Sequence, residues 1–202
     1  MIEYAMHHSD KLANALLEHL EIVMITLIIS LLLASILTII AMTSKVLSKV
    51  LIHGFSVVYS IPSLALFAIL IPVTGLGKFT AIIVLVVYNQ YLLLRNFTSG
   101  LNEVEPAILE AAAGMGMSNM QILFKIRLPL SKKALFTGIR LAVVSTIGIA
   151  TIAASINAGG LGGILFDGLR TMNVYKIMWG SILAAGLAIG VNALLSKIEQ
   201  II

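Results

Sequence analysis

The residues best suited to grip something outside a lipid phase lie in one polar stretch: Glu110-Ala111-Ala112, then Gly116, then Ile126-Arg127-Leu128-Pro129. Their chemistry is that of docking. Ala111, Ala112 and Gly116 allow another backbone to approach closely, and Glu110 offers a carboxylate to a basic or amide group at the rim of a groove. Local signals divide the stretch into two short helices. Asn102 with Glu105 reads as a capping pair opening the first, with Pro106 in its first turn, where the missing N–H costs little. Gly114 and Gly116 let the chain turn, and Ser118 with Gln121 repeats the capping spacing at the second helix. Pro129 is expected to end that helix, and Ser131 to cap the next one.

The elements that must hold this stretch are apolar. Of 202 residues, 59% are hydrophobic and 11% charged, with a mean hydropathy of +1.07, so hydrocarbon is the main solvent and the fold class is an all-α integral membrane protein. The first residues carry Glu3, His7, His8, Asp10 and Lys11 rather than a basic leader, so the first apolar segment is expected to stay in the membrane. Cysteine is absent, which removes disulfides and thiolate chemistry.

Charge-poor windows place five transmembrane helices at about 22–44, 54–77, 79–96, 132–155 and 176–196 in a single domain, 1–202. The polar loop is then about 100–131 and a glycine-rich loop about 156–175. Asn157-Ala158-Gly159-Gly160-Leu161-Gly162-Gly163 is expected to stop the fourth span near Ser155 and to be followed by a bend and a short re-entrant or surface helix.

Lysine and arginine set the orientation. With the N-terminus outside, the cytoplasmic segments hold Lys45, Lys49, Arg95, Lys125, Arg127, Lys132, Lys133, Arg140 and Lys197, against Lys11, Lys78, Arg170 and Lys176 outside. That bias selects N-terminus outside and C-terminus cytoplasmic, and puts the Glu110 loop in the cytoplasm. Arg140 is expected to snorkel to the inner interface, and Asp167 with Arg170 to form a helical surface pair.

The spacing E-A-A-x3-G-x9-I-x-L-P resembles the "EAA loop" of permease subunits of ATP-binding-cassette (ABC) importers, and no position of it is missing. The resemblance extends to Tyr59-Ser60-Ile61-Pro62-Ser63-Leu64-Ala65-Leu66-Phe67, Ile71-Pro72, Thr74-Gly75-Leu76-Gly77-Lys78, Leu94-Arg95-Asn96, Gly148 to Ala154 and Ala158-Gly159-Gly160-Leu161-Gly162. These segments resemble osmoprotectant permeases for glycine betaine, carnitine and choline. The Ala-Gly-Gly-Leu-Gly element also occurs in methionine-importer permeases, so a methionine or other amino-acid importer is the alternative. Asn157 stands where the osmoprotectant pattern more often has glycine.

The resemblance implies a type I ABC importer with a methionine-permease-like core in the bacterial cytoplasmic membrane. Glu110, Ala111, Ala112, Gly116, Ile126 and Pro129 would couple it to a cytoplasmic ABC ATPase dimer. No phosphate-binding G-x-x-x-x-G-K-[ST] loop is present, so ATP and Mg belong on that ATPase and this chain is expected to hold no cofactor. Five helices are few for a gated pathway, so a second permease subunit, identical or related, is expected beside it. An extracytoplasmic substrate-binding protein or domain would deliver the cargo. The remaining partner is the lipid bilayer, and no nucleic acid is expected.

Candidate pathway or gate residues are Tyr59, Pro62, Ser63, Asn89, Gln90, Gly159, Gly160 and Gly162. Tyr59, Tyr88 and Tyr91 either touch a cationic solute through their faces or anchor the chain at an interface. Ser63, Asn89 and Gln90 either line a cavity or bond between helices. Pro62 should kink the second span, and the glycine run is either an outer gate or a tight turn. His7 and His8 lack a closed set of metal ligands. A passive channel would have no use for the docking loop. An intramembrane enzyme would need facing ionisable groups, and the expected spans contain no histidine and no acid.

Overall fold

No glycine or proline occurs before Gly54, so nothing interrupts helix formation through the first apolar run. In the computed structural model, which describes residues 2–201, a short helix α1 (Ile2–His7) leads into α2 (Ser9–Ala41). At 33 residues, α2 is roughly 50 Å long, well beyond a hydrocarbon core of about 30 Å, so more than its apolar part is helical. The helix therefore begins about a dozen residues before the expected span 22–44 and ends at Ala41. Buried positions Leu12, Ala15, His19, Ile22, Thr26, Ser30, Ala34, Thr38 and Ala41 recur every three or four residues as one inward stripe. The outward side carries Ile28, Leu32, Ile36 and Ile40, all exposed and apolar, as a lipid-facing surface requires.

The expected second span, 54–77, is broken. Helix α3 (Lys45–Tyr59) and α4 (Ser63–Thr74) meet at 95° around Ser60-Ile61-Pro62. Pro62 does more than kink a helix. It lacks the N–H that would continue α3, its own backbone is extended (ψ 136°), and it stands as the N-cap of α4.

Helix α5 (Lys78–Asn102) is the hub, packing on α2, α3, α4 and, later in the chain, α9 (Lys132–Ala153). Leu85, Leu93 and Leu94 are almost wholly buried along it, and Phe67 of α4 and Ile147 of α9 complete the main core. Because α5 runs two turns past the expected end at 96, Asn102 is its last residue and not a helix start. Glu105 takes the N-cap of α6 (Pro106–Gly114) without a side-chain bond, with Pro106 in the first turn.

The capping box at Ser118 and Gln121 is formed, opening α7 (Asn119–Ile122). A π-helical turn, Leu123–Arg127, and α8 (Leu128–Leu130) carry the chain almost without interruption into α9 (Lys132–Ala153). Pro129 therefore does not end the helical path. The wider π turn, in which the Leu128 N–H donates to the Leu123 carbonyl, precedes the proline and accommodates its ring.

A 3-10 turn, Ala154–Ile156, and a bend at 157–160 precede α10 (Leu161–Arg170). Asn157 adopts the left-handed conformation at φ 64°, which asparagine tolerates better than other non-glycine residues. Helix α11 (Val174–Ile201) packs on α9 and α10. Among the described residues, four helices are long and apolar enough to cross a membrane, or five if the bent pair α3 and α4 is one broken span. No strand occurs among them.

Candidate functional site

The polar loop is held to the bundle at two points. The last carbonyls of α5 have no partner within their own helix. Arg127 donates to the Leu101 carbonyl at 2.6 Å and to Asn102 Oδ1 at 3.3 Å, and Ser131 Oγ donates to the Gly100 carbonyl at 2.7 Å. Ser131 thus bonds across to α5 and forms no side-chain cap on α9. Gly100 lies against Ala134, where a Cβ would stand 2.4 Å from the alanine methyl, so the start of α9 and the end of α5 are in close contact. Arg127 occupies the unspecified position within Ile126-x-Leu128-Pro129, which is why spacing alone did not single it out.

The rest of the loop faces away. Glu110 and Ala111 are exposed, and Glu110 has no partner among the described residues. Met115 and Met120 are exposed apolar side chains on the same loop, at 75% and 53%. Gly116 has φ 84° and open space around it, a conformation that favours glycine. Ala112 is buried at 1%, and its carbonyl accepts from Met117 N, so this alanine packs inside the loop and offers it no surface. Ile126 is half-buried and Pro129 exposed.

The candidate pathway residues separate into three places. Tyr59, Pro62 and Ser63 lie at the α3–α4 break. There the Tyr59 ring stands 5.5 Å from Tyr88 and 5.0 Å from Tyr91, and the Tyr88 hydroxyl donates to the Ile61 carbonyl released by the break. Arg95 donates to the Tyr91 hydroxyl at 2.6 Å.

Asn89 and Gln90 lie in the core. Asn89 Nδ2 donates to Thr146 Oγ1 at 2.8 Å and to Ser30 Oγ at 3.2 Å, joining α5 to α9 and α2. Gln90 Nε2 donates to the Val86 carbonyl at 3.0 Å and the Ser30 carbonyl at 3.4 Å. Both are buried, so in this protomer they bond between helices.

The glycine run sits on α2. Gly160 N donates to Glu18 Oε2 at 3.0 Å, and the His19 ring lies beneath it. A Cβ on Gly162 would fall 1.9 Å from the Thr151 carbonyl of α9. Glu18 and His19 precede the apolar window, so neither stood among the candidate residues. They belong to α2, on the stretch of that helix that precedes the expected span. His19 is fully buried, with neither ring nitrogen in hydrogen-bond geometry.

Arg140 has partners on α11. It pairs with Glu199, which follows the expected fifth span, and bonds Asn192 of α11 at 3.2 Å. Asp167 and Arg170 do pair, at 3.2 Å, and Asp167 also takes Lys176 at 2.8 Å and Lys11 at 3.8 Å. His8 stacks on Tyr4, and no metal-binding group of side chains occurs among the described residues.

An all-helical bundle with four to five membrane-length elements and one clamped, exposed helical loop has the build of a polytopic membrane protein. Residues 27–202 match the family described as binding-protein-dependent transport system inner membrane component, and the chain belongs to that family. It is an inner-membrane component with a role in transport. Within the family it is similar to a carnitine transport permease of Listeria monocytogenes, 40% identical over 144 residues, 71% of this chain and 66% of that one. It is also similar to a choline transport system permease of Bacillus subtilis, 30% identical over 200 residues, 99% and 92% of the two chains. In structure it is similar to the MetNI methionine ABC transporter in an inward-facing conformation, with a TM-score of 0.86 over 94% of each chain. At 20% identity that likeness is one of fold alone.

Proposed function

We propose that this chain is one half of the membrane pathway of an ATP-driven importer, and that its cargo is a small quaternary amine of the glycine betaine, carnitine and choline class. The relatives named for carnitine and choline support the cargo class. The observation that carries the transport mechanism is the loop, exposed at Glu110, Ala111 and Gly116 yet bonded to α5 and almost continuous with α9. A force applied there reaches two core helices without passing through a flexible joint.

In this reading the N-terminus is outside and the loop cytoplasmic, where a pair of ABC ATPases grips it. A second permease subunit faces the sides of α3 and α11 that this protomer leaves open: among the described residues α3 has none buried and α11 only Gly180. ATP-driven closure pushes the paired loops, and the helices rock about the polar link Ser30–Asn89–Thr146, opening the central pathway alternately to each side. The Tyr59–Tyr88–Tyr91 cluster at the α3–α4 break offers aromatic faces to a passing cation. A binding protein or domain on the outside delivers it.

The test is cargo-stimulated ATP hydrolysis by the assembled importer in proteoliposomes, with glycine betaine, carnitine and choline. Glu110→Lys, on the surface, and Gly116→Trp are expected to lower the stimulated rate at least about tenfold by removing a charged contact and blocking close approach. Full stimulation in both variants would sink the docking model, and no response to any of the three amines would sink the cargo class.

A further inference from the structure

Between α2, α5, α9 and the loop lies an apolar cavity of about 500 Å³. Its wall includes Leu31 and Ile39 of α2, Phe97 of α5, Phe124 and Leu128 of the loop, and Phe136 of α9. Of its two hydroxyl side chains, Ser35 donates to the Leu31 carbonyl at 2.7 Å, and the buried Thr38 Oγ1 alone is left without a partner among the described residues. An occupant with many hydrogen-bonding groups would lose them on entry, whereas hydrocarbon would not. The cavity is also continuous with the membrane side of the bundle. Ile39 lies beside Ile36 and Ile40 on the exposed apolar side of α2, and Phe124 and Leu128 are themselves 53% and 41% exposed.

One charge marks its edge. Lys132 is the charged residue on the wall, it is exposed, and it has neither an ion pair nor a side-chain hydrogen bond among the described residues. An unpaired lysine at the mouth of a hydrocarbon slot fits an amphiphile with an anionic head.

We propose that this cavity holds an acyl chain of an anionic phospholipid from the bilayer, with its phosphate against Lys132. Because Phe124 and Leu128 belong to the loop, the lipid braces the loop against α2 and α5 and becomes part of the path by which the loop moves the bundle. The proposal rests on the orientation given above only for the leaflet that supplies the lipid, the inner one.

The experiment uses the assembled importer loaded in nanodiscs containing phosphatidylglycerol, exchanged into phosphatidylcholine-only nanodiscs, and analysed for retained lipid by native mass spectrometry. The wild type is expected to keep a phosphatidylglycerol on each permease chain. Lys132→Gln should lower that retention roughly tenfold, Lys132→Arg should restore it, and Ser35→Phe, which fills the slot, should abolish it. Phosphatidylglycerol held no better than phosphatidylcholine, or held equally by Lys132→Gln and Ser35→Phe, would overturn the proposal. So would an importer that keeps no lipid but whose permease pair separates in Ser35→Phe, because a second copy would then cover the cavity. Retained lipid together with external labelling of Met120→Cys would uphold the site while refuting the orientation.

Discussion

Gly162 and Gly163 stand side by side in the glycine run, and their surroundings differ completely. A Cβ on Gly162 would collide with the Thr151 carbonyl, whereas one on Gly163 meets nothing within 4 Å. Gly162→Ala is therefore expected to lower the thermal midpoint of the purified protein, at a cost of about 1–3 kcal/mol for overpacking or more. Gly163→Ala should be neutral or stabilising by up to about 1 kcal/mol, since alanine favours the helix. Equal effects would mean that α10 does not rest on α9 as described. The same scale explains Asn157, whose side chain tolerates the left-handed turn better than other non-glycine residues. Its type was readable from the sequence, but the conformation that makes it acceptable was not.

At the scale of elements, ends and junctions set the geometry. Arg127 and Ser131 satisfy the end of α5, so the loop is locked to the hub through backbone carbonyls that a sequence pattern does not display. The opposite end of the bundle has an ionic junction. Asp167 of α10 meets Lys176 of α11, Arg170 of its own helix and, more distantly, Lys11 of α2. The hydrogen bond from Lys176, and then that from Arg170, holds the Asp167 carboxyl below its ordinary value. A carboxylate with a depressed folded pKa stabilises fully above its unfolded value of about 3.9 and loses that contribution as pH falls through the folded one. Thermal midpoints measured from pH 6 down to pH 3 should show the wild type losing an increment over Asp167→Asn at the acidic end. Parallel curves would remove the junction from the account. The pair Asp167–Arg170 was visible at a spacing of three. The contributions of Lys11 and Lys176 were not, because they come from other helices.

For the whole molecule, orientation decides which surface meets which partner. The chain lacks cysteine, so single cysteines report cleanly. Met120 on the loop and Met172 in the α10–α11 turn are exposed at 53% and 85%. With an impermeant maleimide on intact cells, Met172→Cys is expected to react and Met120→Cys to react only after lysis. The reverse pattern would place the loop outside and end the ATPase-docking reading. The open faces of α3 and α11 belong to this scale too, since an apolar helix that its own protomer leaves uncovered must meet lipid or another subunit.

Composition and run length by themselves determined that this is a helical membrane protein. An apolar segment long enough to cross a bilayer has few other folds open to it, because its backbone must bond internally. Spacing in the loop likewise made its two short helices legible, since a turn glycine and a capping box act locally. Tertiary structure alone decided the 95° break at Pro62, the continuation through Pro129, the burial of His19 and the partners of Arg140. Each of these depends on what a neighbouring helix presents. Hydrophobicity reports where a segment lies along the membrane normal, and says nothing of which helix stands beside it.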